Sequence, residues 1–211
     1  VKEWYTNGDV VTFTITPDTG YQFASWGGTD GSKVSGNKLT ITGDMTVEAV
    51  MSKIQYSLTV TSVTGGAVTK TPAKSTYEYG DVVTLAAAPS TGYVFSSWGG
   101  TNGGEVTVTG TTTGTLKING NKSVTPAFTK KNVLTLTITH GSITASPAKE
   151  WYANGDVVTL TVIPDSGYAF SSWGGTDGSK VSSNKITISG DMSVEAVMSK
   201  IQYTLTIGIS A

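Results

Sequence analysis

Asp18-Thr19-Gly20 is the first group of residues whose types suggest catalysis, because this tripeptide occurs in aspartic proteases. Their chemistry needs two carboxylates that share one proton. A counterpart, Asp165-Ser166-Gly167, lies far along the chain, but Ser90 stands at the same place in the stretch between them. The first tripeptide also follows Pro17, a combination typical of a turn. We therefore predict turns here, no catalytic residues, and a protein that is not an enzyme.

His140 is the only histidine, and the chain has no cysteine. A transition-metal site needs more ligands of this kind than one imidazole supplies, and Gly65 takes the place of His140 in a similar stretch earlier in the chain, which argues against a Ser-His pair. His140 precedes Gly141 in a predicted turn, so we interpret it as a solvated turn residue.

Acidic residues in glycine-rich loops suggest calcium, which binds six or more oxygens that converge on one point. The candidates are Asp30, Asp44, Asp177 and Asp191. They are not clustered in sequence, and Asn102 and Asn121 take their places in the middle of the chain. The prediction is that no cofactor is bound, with calcium as the alternative.

The spacing of these residues follows from a repeat. Residues 2–54 reappear as residues 149–201 with few changes, and residues 74–131 are a looser copy. Each copy carries the string Ser-Trp-Gly-Gly, with its tryptophan at Trp26, Trp98 or Trp173. A catalytic site needs one asymmetric cluster of unlike groups, whereas tandem copies supply length, spacing or many weak contacts.

Recurring positions divide the chain into units of about 70 residues. We place repeat 1 at residues 1–53, repeat 2 at 54–131 with a loop insertion near 104–114, and repeat 3 at 132–200. Repeats 2 and 3 open with an alternating run that starts near Tyr56 and Leu134, whereas repeat 1 has no such run. The same run returns in residues 201–211 as the orphan opening strand of a next repeat.

Alternation of apolar residues and threonine is the main local signal. Val11, Phe13 and Ile15 share one face, and the threonines between them share the other. Turn signals such as Asn7-Gly8 and Asp30-Gly31 separate runs of this kind. We predict an all-β protein of three tandem small antiparallel domains, arranged as an elongated rod.

The tryptophans fall into two groups. Trp26, Trp98 and Trp173 occur in every copy, and we predict that they are buried core residues of domains that have little other core. Trp4 and Trp151 differ, because Thr76 occupies their position in repeat 2. These two are therefore the candidate surface contacts.

The composition favours an extracellular or cell-surface protein. The net charge is −1, which gives no electrostatic basis for binding nucleic acid or an anionic membrane. No apolar run has membrane-spanning length, so no membrane insertion is expected.

The combined motif resembles the divergent internalin-type B-repeat family of bacterial surface and secreted proteins. Three parts of repeat 2 carry the resemblance: Tyr56-x-Leu58-x-Val60, Gly92-Tyr93-x-Phe95-x-x-Trp98-x-Gly100, and the closing Val124-x-x-Ala127-Phe128. Repeats 1 and 3 end in Val50-Met51 and Val197-Met198 where the family has Ala-Phe. The resemblance implies an extracellular module of stalks, adhesins or fibres, without enzymatic activity.

The mismatched ends lead to a structural hypothesis. Tyr203, Leu205, Ile207 and Ile209 form a strand without a domain, and repeat 1 presents Val11, Phe13 and Ile15 without an opening strand. Strand donation from one molecule to the next would give a head-to-tail filament, so the expected partner is the protein itself or neighbouring repeats of one longer chain. The alternative is an adhesin-type module that binds glycan or host protein through Trp4 and Trp151.

Overall fold

A computed structural model describes residues 4–208 of the chain. The described residues form nineteen β-strands and three single-turn 3-10 helices at Gly31–Lys33, Gly103–Glu105 and Gly178–Lys180. No helix in this part of the chain is long and apolar enough to cross a membrane. Two compact units can be separated, one with repeat 1 and most of repeat 2, the other with repeat 3 and the remainder of repeat 2.

Repeat 1 contains two sheets of two strands each among its described residues. Its strands are β1 (Val10–Thr12), β2 (Tyr21–Gly27), β3 (Lys38–Thr40) and β4 (Glu48–Lys53). β1 pairs with β3, and β2 pairs with β4, both antiparallel. The β2–β4 register shifts between Phe23 and Ser25, which marks a bulge at Ala24, two residues before Trp26.

Repeat 2 has larger sheets. Its strands are β5 (Gln55–Tyr56), β6 (Leu58–Val60), β7 (Gly66–Thr71), β8 (Tyr77–Glu78), β9 (Val82–Pro89), β10 (Tyr93–Gly99), β11 (Thr107–Val108), β12 (Thr113–Lys117) and β13 (Lys122–Lys130). The sheet orders are β10-β13-β6 and β11-β12-β9-β7, with β5 paired to β8. The insertion near residues 104–114 is therefore not a plain loop, because β11 and β12 pair as an antiparallel hairpin.

Repeat 3 has two three-stranded sheets. Its strands are β14 (Leu134–Ile138), β15 (Gly141–Ser146), β16 (Val157–Pro164), β17 (Tyr168–Gly174), β18 (Lys185–Thr187) and β19 (Met192–Lys200). The sheet orders are β14-β19-β17 and β15-β16-β18. All pairs in these sheets are antiparallel except β14–β19, which is parallel. The predicted all-β fold of three small repeats with antiparallel sheets is confirmed, and the parallel pairing of the opening and closing strands is a feature that the sequence did not predict.

Each complete repeat has its own apolar core, to which both sheets contribute. The core of repeat 2 consists of Leu58, Tyr77, Val83, Leu85, Val106, Leu116, Ile118 and Val124. The core of repeat 3 consists of Tyr152, Val158, Leu160, Ile186, Ile188, Met192 and Val194. Trp98 and Trp173 pack against these clusters and are half-buried, as is Trp26 in repeat 1. Aliphatic side chains and one tyrosine, and not the tryptophans, therefore fill the centre of each core.

The second glycine of each Trp-Gly-Gly string has a positive φ, namely 80° at Gly28, 81° at Gly100 and 78° at Gly175. A Cβ at Gly28 would lie 2.6 Å from the carbonyl oxygen of Thr46, on the closing segment. Left-handed backbone and close approach both require glycine, which explains why the string recurs.

Candidate strand-acceptor groove in repeat 1

Repeat 1 contains an apolar groove of about 440 Å³ among its described residues. It is lined by Trp4, Tyr5, Val11, Phe13, Leu39, Ile41, Gly43, Asp44, Met45 and Val47. Val11 and Phe13 of the predicted acceptor face thus line the groove, whereas Ile15 is half-buried and is not among the lining residues. Sequence reasoning missed Met45 and Val47 as groove residues, although their alternation was a usable signal.

Three of the groove residues, Tyr5, Met45 and Val47, are more exposed than their counterparts in the other repeats. Tyr5 is 39% exposed, whereas its counterparts Tyr77 and Tyr152 are 0% and 3% exposed. Met45 and Val47 are half-buried, whereas the same positions in repeat 3 belong to the core. The groove therefore corresponds to part of a core that is closed in repeats 2 and 3.

An opening strand covers this position in the other two repeats. β6 runs parallel to β13, with Leu58 opposite Lys122 and Val60 opposite Val124. In the same way β14 runs parallel to β19 and covers Met192 and Val194. Within residues 4–208, β4 pairs only with β2, so its other side has no neighbouring strand.

Residues 201–207 carry almost the same sequence as the opening segment of repeat 2. Ile-Gln-Tyr-Thr-Leu-Thr-Ile at residues 201–207 compares with Ile-Gln-Tyr-Ser-Leu-Thr-Val at residues 54–60. In the described structure residues 201–208 form no strand, and Tyr203, Leu205 and Ile207 are 84%, 83% and 80% exposed. Ile209, the fourth residue assigned to this strand, lies outside the described residues.

The candidate calcium ligands mostly bind the protein itself. Asp30 accepts hydrogen bonds from the Lys33 ammonium at 2.7 Å and from the Thr46 backbone N–H at 2.8 Å. Asp177 repeats this arrangement with Lys180 and Ser193. The lysine hydrogen bond is the main reason why the pKa of each carboxyl lies below its ordinary value, followed by the backbone hydrogen bond. Nowhere in residues 4–208 do three His, Asp or Glu side chains come together as metal ligands.

The other sequence candidates for chemistry lie in turns. The backbone oxygens of Asp18 and Asp165 accept hydrogen bonds from Tyr21 and Tyr168 and close the predicted turns. His140 has a φ of 64° and stacks on Tyr168, with 4.0 Å between ring centroids. The stacking partner was not predicted, because it depends on how β15 and β17 are placed in space.

The two candidate contact tryptophans have different surroundings. Trp4 is 82% exposed at the rim of the groove. Trp151 is half-buried, and the Lys131 ammonium lies 5.9 Å from the centre of its ring. A second depression of about 440 Å³ is lined by Trp151 with Lys149, Glu150, Ala153 and Asp156.

These observations define a tandem all-β repeat protein. The chain belongs to the divergent InlB B-repeat family, whose domain matches residues 1–55, 56–132 and 133–202. Domains of this family are typically repeat modules of surface proteins and are not catalytic. A search of curated proteins finds no match to the chain.

Proposed function

We propose that this chain is a non-enzymatic structural protein of the cell surface, a stalk or filament subunit that assembles head to tail. Residues 201–211 of one copy occupy the groove of repeat 1 in the next copy. The observation that carries this proposal is the match between an open groove at the opening-strand position and an exposed segment with an opening-strand sequence.

Burial of apolar surface supplies the driving force. Tyr203, Leu205 and Ile207 alternate with polar residues, so all three enter the groove when the segment is extended. Each such side chain contributes about 1.5–3 kcal/mol on full burial, which offsets part of the cost of association. Backbone hydrogen bonds to the closing segment that leads into β4, around Met45 and Val47, add the usual gain of strand addition.

The proposed contact joins two different surfaces, the groove and the C-terminal segment. Such heterologous contacts propagate into filaments unless the geometry closes a ring. The same groove can accept an opening strand from a neighbouring repeat of one longer chain, which would give a stalk in place of a filament.

The test compares the full chain with a chain that lacks residues 201–211. The full chain should sediment as concentration-dependent oligomers, and the deletion should sediment as a monomer with an unchanged melting temperature. A synthetic peptide of residues 201–211, added in excess to the full chain, should cap the oligomers. A full chain that is monomeric at every concentration, or oligomers that survive the deletion, would overturn the proposal.

A matched pair of substitutions tests which face of the segment matters. Leu205→Asp places a charge on the face that enters the groove, and Thr206→Asp places the same charge on the face that points to solvent. We expect Leu205→Asp to abolish oligomers and Thr206→Asp to preserve them. Equal effects of the two substitutions would mean that charge, and not burial, controls assembly.

Adhesion is the second candidate, and the surroundings of Trp151 favour it. An aromatic ring beside Lys149, Glu150 and Asp156 combines an apolar platform with hydrogen-bonding groups, which suits a sugar. A glycan array with the tail-deleted chain tests this function separately from assembly. Binding that is lost in Trp4→Ala or Trp151→Ala would support adhesion, and absence of binding to glycans and host proteins would exclude it.

A further inference from the structure

Repeats 2 and 3 hold their opening strands with the same side-chain contact. In repeat 2 the Asn121 Oδ1 accepts hydrogen bonds from the Ser57 backbone N–H at 2.9 Å and from the Ser57 hydroxyl at 3.2 Å. In repeat 3 the Asp191 Oδ1 accepts a hydrogen bond from the Val133 backbone N–H at 2.9 Å. Ser57 and Val133 stand immediately before β6 and β14.

A backbone hydrogen bond completes the contact on the same residue. The Lys122 N–H donates to the Ser57 carbonyl at 2.9 Å, and the Met192 N–H donates to the Val133 carbonyl at 2.9 Å. The N–H and the C=O of one opening-strand residue are therefore both bound by two consecutive residues of the closing segment. Ser57 and Val133 differ in side chain, so the hydrogen bonds that both repeats share are those to the backbone. These bonds fix the register of the opening strand against the closing segment.

Repeat 1 has the same residues on the closing side of its groove. Gly43-Asp44-Met45 corresponds to Gly190-Asp191-Met192. Asp44 is exposed and lines the groove. Among residues 4–208, no group donates a hydrogen bond to the Asp44 carboxylate, whereas Asn121 and Asp191 each bind a strand.

We infer that Asp44 sets the register of the strand that enters repeat 1, by accepting a hydrogen bond from the backbone N–H of Thr204. The Met45 N–H then donates to the Thr204 carbonyl, and the Thr204 hydroxyl reaches Asp44 as Ser57 reaches Asn121. This inference rests on the proposed function, since Thr204 comes from a second copy of the chain.

The register has a direct effect on burial. By equivalence with β14 and β19, Leu205 lies opposite Met45 and Ile207 lies opposite Val47. A slip by one residue turns both side chains to solvent and brings Thr204 and Thr206 into the groove. Asp44 therefore selects the one alignment in which the apolar side chains are buried.

The experiment measures binding of a peptide of residues 201–211 to the chain without those residues, by isothermal titration calorimetry. We expect Asp44→Ala to weaken binding about tenfold or more, because a hydrogen bond to a charged acceptor is lost. Asp44→Asn should bind within about threefold of the original chain, because the asparagine at position 121 makes the same contact in repeat 2. The melting temperature of each unliganded variant serves as the control for folding.

A peptide with an N-methyl group on the Thr204 nitrogen removes the donor and keeps the side chains. It should bind weakly to the original chain, and Asp44→Ala should weaken its binding little further, because both changes remove one interaction. Additive losses, or unchanged binding of the unmodified peptide to Asp44→Ala, would overturn the role of Asp44 while the proposed function stands. No binding of the unmodified peptide to the original groove would overturn both.

Discussion

Asp30 and Asp177, two of the candidate calcium ligands, connect a loop to the closing segment by hydrogen bonds. Asp177 holds the turn at Gly178–Lys180 to the closing strand through Ser193, and Asp30 does the same in repeat 1 through Thr46. Asn102 makes the corresponding contact to Ser123 in repeat 2. An oxygen that accepts a backbone N–H is the shared requirement, which both Asp and Asn meet, and the aspartates add an ion pair with a lysine three residues later.

The lowered pKa of the Asp177 carboxyl predicts how stability depends on pH. The carboxylate is favoured in the folded state, so its contribution is complete above the ordinary value of 3.8 and is lost as pH falls below it. Melting temperatures of the original chain and Asp177→Asn should differ at pH 6 and converge toward pH 3. A difference that stays the same across this range would show that the charge contributes nothing.

Trp173 lies at the edge of its core, and this position lowers the expected cost of its removal. Its ring packs against the core of repeat 3 and contacts Phe170, with 4.9 Å between ring centroids. Since full burial of a tryptophan gives about 3–5 kcal/mol on truncation, we expect roughly 2 kcal/mol for Trp173→Ala. Urea unfolding measures this loss, with the exposed neighbour Ser172→Ala as the control. A loss no larger than that of the control would mean that Trp173 does not stabilise the core.

At the scale of elements, the joint between repeats 1 and 2 is a packed contact. The Lys53 ammonium of repeat 1 binds the Glu78 carboxylate of repeat 2 at 2.6 Å, beside the pairing of β5 with β8 within repeat 2. Gly20 allows the backbone of repeat 1 to approach Tyr79 of repeat 2 closely, since a Cβ on Gly20 would lie 2.6 Å from the Cβ of Tyr79. The Gly-Tyr string therefore serves the joint as well as its own turn.

Gly20→Ala and Gly167→Ala separate these two requirements. Both glycines have positive φ, 86° and 83°, but a Cβ at Gly167 meets nothing within 4 Å. Left-handed alanine costs about 1–2 kcal/mol at either position. We expect Gly20→Ala to destabilise the chain by at least about 1 kcal/mol more in urea unfolding, because Tyr79 must also move. Equal losses would indicate that the joint opens at no cost.

The sequence predicted the strands better than it predicted which strands pair with each other and in which direction. Alternation at Val11, Phe13 and Ile15 identified strands, although only part of this run is assigned to β1. Alternation has the same period in parallel and antiparallel strands, so it could not show that β14 runs parallel to β19. Burial of Tyr77, whose hydroxyl donates to the Pro72 carbonyl, was also missed. Tyr77 lies in a polar stretch without periodicity, and it contacts the core residues of repeat 2 only in the folded structure.

The groove was predicted in part for the same reason. Its β1 side follows from the alternation of Val11 and Phe13, whereas its closing side depends on which strand lies beside Met45 and Val47. The role proposed for Asp44 was absent from sequence reasoning, because an aspartate after glycine suggests a turn. Its two counterparts became informative only when their hydrogen bonds to opening strands were seen.

At the scale of the whole molecule, the repeats follow one another in a single chain, so a pull on the two ends of the chain passes through each repeat in turn. In repeat 3 the chain enters through β14 and leaves through β19, and these strands are parallel neighbours. Tension on the two ends therefore slides β14 along β19. All the hydrogen bonds between the two strands then resist the load together, and none can open before the others.

Single-molecule pulling on repeat 3 should reveal this geometry as a high rupture force. Handles at residues 134 and 200 load β14 and β19 in shear, and handles at residues 156 and 189 peel β16 from β18 one bond at a time. The first arrangement should break at several times the force of the second, although the folded state and its free energy are the same in both. Equal forces would contradict it. We therefore expect the parallel pairing that covers the core of repeat 3 to make this repeat resist tension most strongly along the line that joins its two ends.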